Sequence, residues 1–306
     1  MAPPGNVIAI PPLHSLTLRT TADGYPAIQP EQFRGLGRGR VALITGSGRG
    51  IGKSIALAFA KAGYSVCVTA RNALEVEDTV SEIRKASPDV KAIGEAADAC
   101  KLADLEMLVQ KVNEQLGVID VLICNAGTNT FMPFTMTDPQ DWWYSLEINL
   151  KSPTELTRLV LPQMRKGNSG TIIYTSSRAA VADLPWTTAY GASKTGITRF
   201  AACLQNELDQ TQKIDFGHER NGIALYSIHP GEVKTSLHTT GFPEKTHKEA
   251  PYIIEHMKAL EAKHPHYEAS LAAWTCVYLA SGKAANMRGK YIDCTRDIVE
   301  QEALYK

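Results

Sequence analysis

From Arg40 onward, short runs rich in β-branched residues alternate with longer amphipathic stretches, at 41–45, 64–70, 90–97, 118–125, 170–176, 222–229 and 290–294. Runs of this length bounded by turn residues read as buried strands, and the segments between them are long enough for helices. Parallel neighbours need a crossover, which a helix usually supplies. The alternation therefore predicts an α/β fold: one doubly wound parallel sheet of about seven strands, with helices on both faces. Such a sheet binds ligands at the carboxyl ends of its strands. There is no internal repeat or low-complexity tract.

Composition excludes several other classes. Of 306 residues 44% are apolar and 21% charged, with 32 basic and 32 acidic side chains. That rules out a disordered chain, a collagen-like chain and a polycation, and gives no warrant for a nucleic-acid partner. Six cysteines at 67, 100, 124, 203, 276 and 294 form no C-x-x-C pair, so reduced thiols and a cytoplasmic location are expected. No stretch approaches the length of a membrane span, and the N-terminus lacks the basic and apolar regions of a signal peptide. Eight histidines show no zinc-ligand spacing; they, including His264 and His266, read as surface or loop residues, with no metal site.

Residues 1–39, rich in proline and carrying the GLGRG run, show no sustained periodicity and read as an irregular arm before a single domain at 40–306. The arm has two expected places, over the site or against a neighbouring subunit. The segment 232–267 interrupts the alternation and is expected to form a mobile loop or a small helical lid.

After the first strand comes Thr45-Gly46-Ser47-Gly48-Arg49-Gly50-Ile51-Gly52, followed by a helical pattern with Ile51, Ile55, Phe59 and Ala62 on one face. Glycines there let the backbone turn tightly and approach a pyrophosphate, which the helix start favours electrostatically. This is a Rossmann-type signature. The second strand ends at Arg71, with no Asp or Glu placed to take a ribose 2′-hydroxyl. A cation suits a 2′-phosphate, and Arg49 could form the other half of a clamp, so NADP(H) is the expected cofactor. A solvated Arg71 is the other reading.

Tyr190 and Lys194 stand one helical turn apart, in a segment whose apolar residues Ile197, Phe200, Ala201, Leu204 and Leu208 follow helical spacing. A nearby ammonium stabilises a phenolate, which a tyrosine needs in order to exchange protons near neutral pH. Upstream, Pro153 offers no N–H to the Asn149 carbonyl. A helix there should kink and leave that carbonyl free for another donor, such as a water; a proline near a helix end is the other reading.

From about residue 40 to the C-terminus the chain resembles the short-chain dehydrogenase/reductase family. The resemblance rests on the TG-x-x-x-GIG turn at 45–52, Asn125-Ala126-Gly127, Asn149, Ser177 thirteen residues before Tyr190, the Tyr190 and Lys194 pair, and Pro230-Gly231 followed by Thr235. It implies Tyr190 as general acid or base and Ser177 as the residue that holds the substrate oxygen. Lys194 would grip the nicotinamide ribose and lower the Tyr190 pKa, and Asn149 would hold a water linking Lys194 to solvent. Cofactor contacts are implied at Gly46, Ser47, Arg49, Gly50, Ile51, Gly52, Arg71, Asp98, Asn125, Ala126, Gly127, Tyr190, Lys194, Pro230, Gly231, Val233 and Thr235. Asp98 reads equally as a loop cap, and Ser176 as packing at its strand end.

The expected activity is interconversion of a ketone and a secondary alcohol, in a homodimer or homotetramer built on helices near 137–167 and 189–209. Phe131, Met132, Pro133, Phe134, Leu184, Pro185 and Trp186 suit either a mostly apolar substrate pocket or loop packing, whereas Trp142-Trp143-Tyr144 reads as helix packing or subunit interface. A nucleotide-binding role without redox chemistry, or isomerisation or cyclisation on the same fold, are the competing functions.

Overall fold

The structure is a computed structural model that describes residues 13–22, 25–234, 242–261 and 266–305. Seven strands form one sheet: β1 (Val41–Thr45), β2 (Ser65–Ala70), β3 (Ala92–Ala96), β4 (Ile119–Cys124), β5 (Gly170–Thr175), β6 (Ile223–His229) and β7 (Tyr291–Asp293). Their order is β3-β2-β1-β4-β5-β6-β7, and every pairing is parallel. Each strand falls inside its predicted run.

All five residues of β1 are buried, as expected of a central parallel strand covered on both faces. Ala42 and Ile44 face one apolar cluster, and Val41 and Leu43 face the other. The first cluster draws on α1 (Gly50–Lys61), α2 (Ala73–Ala86) and α9 (Ala269–Ala280). The second draws on α3 (Leu102–Gln115), α5 (Ser152–Gly167) and α6 (Thr188–Phe216).

The fourth crossover is not a continuous α-helix. Between α4 (Pro139–Leu146) and α5 lies a π-helical turn, Glu147–Lys151, in which the Ser152 N–H donates to the Glu147 carbonyl. Proline at 153 removes the donor that an α-helical register would aim at Asn149, and the chain answers with a wider turn where the sequence predicts a kink.

The described part of the arm joins the core. Tyr25, Ile28 and Phe33 are buried in the first cluster, and the Phe33 ring stacks on Trp274 of α9 at 6.1 Å between centroids. Arg19 pairs with Asp297, which caps α10 (Ile298–Ala303), at 2.8 Å. Two short 3-10 turns, Pro26–Ile28 and Pro30–Phe33, place these apolar side chains without any helical or strand period to betray them. Within 232–267 the structure describes two helices, α7 (Glu244–Glu249) and α8 (Pro251–Glu261).

Candidate active site

A cavity of about 680 Å³ opens along the carboxyl ends of β1, β2, β4, β5 and β6. Its floor is the glycine turn after β1. Gly46 and Gly50 have φ of 62° and 57°, a left-handed conformation that glycine adopts at little cost. A Cβ on Gly52 would come within 2.2 Å of the Gly46 carbonyl oxygen and 2.5 Å of Asn125 Nδ2, so the turn closes only with glycine there. Asn125 Nδ2 in turn donates to the Thr45 and Gly46 carbonyls at 3.1 and 3.2 Å. No side chain caps the N-terminus of α1, which leaves its first N–H groups open toward the cavity. These residues fit a dinucleotide pyrophosphate.

Ser177, Tyr190 and Lys194 converge at the other end. Tyr190 and Ser177 share a side-chain hydrogen bond, and the Lys194 ammonium lies 5.4 Å from the centre of the Tyr190 ring. Lys194 Nζ donates to the Thr175 carbonyl at 2.6 Å. Asn149 is buried, its amide exchanging two hydrogen bonds with the Thr128 backbone at 2.8 and 3.1 Å. A Cβ on Gly127 would come within 2.7 Å of Asn149 Oδ1 and 3.5 Å of Lys194 Nζ, so glycine is what permits this close approach. Ser176 instead bonds Thr198 Oγ1 at 2.6 Å beneath the site, the packing role expected of it.

Desolvation raises the Tyr190 phenol above its ordinary range, and the Ser177 hydrogen bond pulls it part of the way back. Burial pushes the Lys194 amine itself down from 10.5 to about 8, which leaves it mostly a cation at neutral pH.

At the adenosine end, Arg71 Nη1 donates to the Tyr144 hydroxyl at 2.9 Å, while Arg49 pairs with Glu75 at 3.2 Å. Tyr144 thus reaches the cavity, where the sequence reading assigned it to packing or an interface. Ser47 and Asp98 do not line the cavity. Ser47 is wholly buried and ties the turn to β2, donating to Ile44 O at 2.6 Å and accepting from Thr69 N at 3.0 Å. Asp98 folds back to accept the Cys100 N–H at 3.1 Å. Gly46, Arg49, Gly50, Ile51, Gly52, Asn125, Ala126, Gly127, Pro230, Gly231 and Val233 all line the cavity; Thr235 lies outside the described residues.

On the substrate side, Phe131 and Met132 are buried against Ala250, between α7 and α8, and Ile253 of α8, whereas Phe134 points outward. Leu184 and Pro185 line the cavity with His256 and Met257 of α8. Trp186, at φ 60°, sets its ring edge-on to Tyr252 and His256 at 6.0 and 5.0 Å, and its carbonyl accepts the Met132 N–H at 3.2 Å. Sequence reasoning missed Glu75, Asn129, Thr175, His229 and His256, none of which carries a local pattern. His229 also departs from its surface assignment: it ends β6 at 7% exposure, and burial lowers its pKa. His264 lies outside the described residues. Among the described residues there is no His, Cys, Asp and Glu cluster able to hold a metal ion, and no helix long and apolar enough to cross a membrane.

Comparison with known proteins converges on one family. The short chain dehydrogenase family matches residues 40–246. A short chain dehydrogenase of Pseudocercospora fijiensis is 32% identical over 280 residues, covering 90% of this chain and 86% of the relative. A hydroxynaphthalene reductase of Aspergillus fumigatus is 32% identical over 203 residues, covering 65% and 68%. Among solved structures, a short-chain alcohol dehydrogenase from Sinorhizobium meliloti superposes with a TM-score of 0.71 at 27% identity, covering 84% of this chain and 95% of that one. With its parallel sheet, its glycine turn and its converging Ser177, Tyr190 and Lys194, the chain belongs to the short chain dehydrogenase family.

Proposed function

We propose that the protein is an NADP(H)-dependent oxidoreductase that interconverts a ketone and a secondary alcohol. The observation that carries this reading is the Tyr190 hydroxyl, hydrogen-bonded to Ser177 with a buried ammonium beside its ring. Mere nucleotide binding gives such a group no work to do.

A bound nicotinamide cofactor would supply or receive the hydride. Gly46, Gly50 and the α1 N-terminus would hold its pyrophosphate, and Asn125, Ala126, Gly127, Pro230, Gly231 and Val233, which line the same cavity, would hold the rest of it. In reduction, Tyr190 gives its proton to the substrate oxygen as charge develops there, and Ser177 Oγ donates a hydrogen bond to the same oxygen. A raised phenol pKa suits this direction, because the proton is present throughout the neutral range. Lys194 would hold the ribose hydroxyls of the cofactor and, through a water held by Asn149, would restore the Tyr190 proton. The Aspergillus fumigatus relative, a reductase by name, favours the same direction.

Arg71 carries the preference for NADP(H) over NAD(H), since it makes no ion pair among the described residues while Arg49 is already paired with Glu75. Homodimeric or homotetrameric assembly and a cytoplasmic location complete the proposal. The test is a panel of ketones followed by nicotinamide absorbance with wild type and Tyr190→Phe. Turnover should fall by about a hundredfold or more in the variant while cofactor affinity stays within about twofold. Equal turnover would refute the mechanism.

A further inference from the structure

The Arg71 guanidinium is held from across the cavity mouth. It stands just beyond the end of β2, and the Tyr144 hydroxyl that it meets at 2.9 Å comes from α4. Both side chains line the cavity beside Asn72 and Glu75, at the end away from Tyr190. Among the described residues Arg71 has no carboxylate partner, whereas Arg49, the other cation of the turn, is bonded to Glu75. A phenol oxygen has lone pairs free to accept from Arg71, and the 2.9 Å contact uses one of them.

A free arginine samples many rotamers and loses that freedom when it grips an anion. One anchored through a single N–H has already lost part of it, and four of its five donors remain available. A tyrosine hydroxyl is well suited to the anchoring role, since it takes a hydrogen bond without neutralising the charge.

We propose that Tyr144 is a positioning residue for cofactor choice, holding Arg71 in place so that its remaining donors meet the 2′-phosphate of an adenosine ligand. This rests on the NADP(H) reading above and adds to it a residue contributed by the fourth crossover.

The test uses adenosine 2′,5′-bisphosphate and AMP as calorimetric ligands, with the full chain as wild type, Tyr144→Phe, Arg71→Ala and the double variant. Tyr144→Phe keeps the ring and removes only the oxygen, and circular dichroism of each variant verifies its fold. Wild type should bind the bisphosphate at least about tenfold more tightly than AMP. Tyr144→Phe should lower that preference about fivefold through the bisphosphate alone, leaving AMP affinity unchanged. Arg71→Ala should abolish the preference, and adding Tyr144→Phe to it should change nothing more. Retention of the full preference in Tyr144→Phe, or equal weakening of both ligands, would overturn the proposal. A wild type with no preference for the bisphosphate would refute the cofactor reading itself, a result visible before any variant is made.

Discussion

Lys194 Nζ sits 2.6 Å from the Thr175 carbonyl, and that single neutral acceptor does not offset the burial of its charge. The amine therefore titrates near 8 in the folded protein against 10.5 in the unfolded chain. Below about pH 8 both states are protonated and burial of the charge opposes folding. Between about 8 and 10.5 the unfolded chain keeps a proton that the folded one has released, so stability rises with pH across that window. Relative to Lys194→Met, wild type should gain on the order of 3 kcal/mol from the bottom of the window to its top. Urea unfolding of both proteins across that range measures the gap, and parallel stability curves would contradict it. Reduction should fall off above about pH 8 as the cation disappears.

Ser177 has a separate effect on the phenol. Its hydrogen bond favours the ionised form of Tyr190, so Ser177→Ala should raise that pKa further. Alcohol oxidation, which requires the phenolate, should then reach its plateau at a higher pH than in wild type. A pH profile of kcat/KM in the oxidation direction reads the displacement; a variant that loses rate with an unmoved profile would show that Ser177 acts on the substrate alone.

The π-helical turn at Glu147–Lys151 yields a third expectation. Pro153→Ala restores an N–H where an α-helical register can use the Asn149 carbonyl, and the turn should tighten. Turnover should fall about tenfold as the proton path through that carbonyl is lost, with cofactor affinity preserved. Stopped-flow measurement of the hydride step and of the steady-state rate locates the loss; full activity in the variant would remove Pro153 from the mechanism.

Trp186 joins the loop before Tyr190 to α8 through its ring contacts with Tyr252 and His256. Trp186→Ala should raise the substrate KM about tenfold with little change in kcat, and should expose α7 and α8 to faster proteolysis. Because position 186 is left-handed, Trp186→Gly should lose the same contacts yet be more stable than Trp186→Ala by about 1 kcal/mol. Melting temperatures of the pair check the difference.

How much of this was legible in the sequence depends on the range of the physics. The strands were legible because a sheet covered on both faces demands unbroken apolar runs such as Val41–Thr45. Tyr190 and Lys194 were legible because one helical turn joins them, and Ser177 through its spacing within the family motif. Tyr144 was not: its partner lies 73 residues away, and nothing local separates it from the exposed Trp143 beside it. Asp98 and Ser47 occupied family positions, but each side chain found a nearer backbone partner. At Pro153 the missing donor was foreseen and the backbone's answer was not, because one lost hydrogen bond can be met by bending or by widening the turn.

The burial of Phe33 on Trp274 carries the cooperatively folded unit back beyond the start of the family match at residue 40. A recombinant fragment cut at Arg40, where the family match begins, would bare the indole of Trp274 and the ring of Tyr278, two aromatic surfaces that favour self-association once wetted. Expression designs for this enzyme should therefore begin well ahead of the glycine turn.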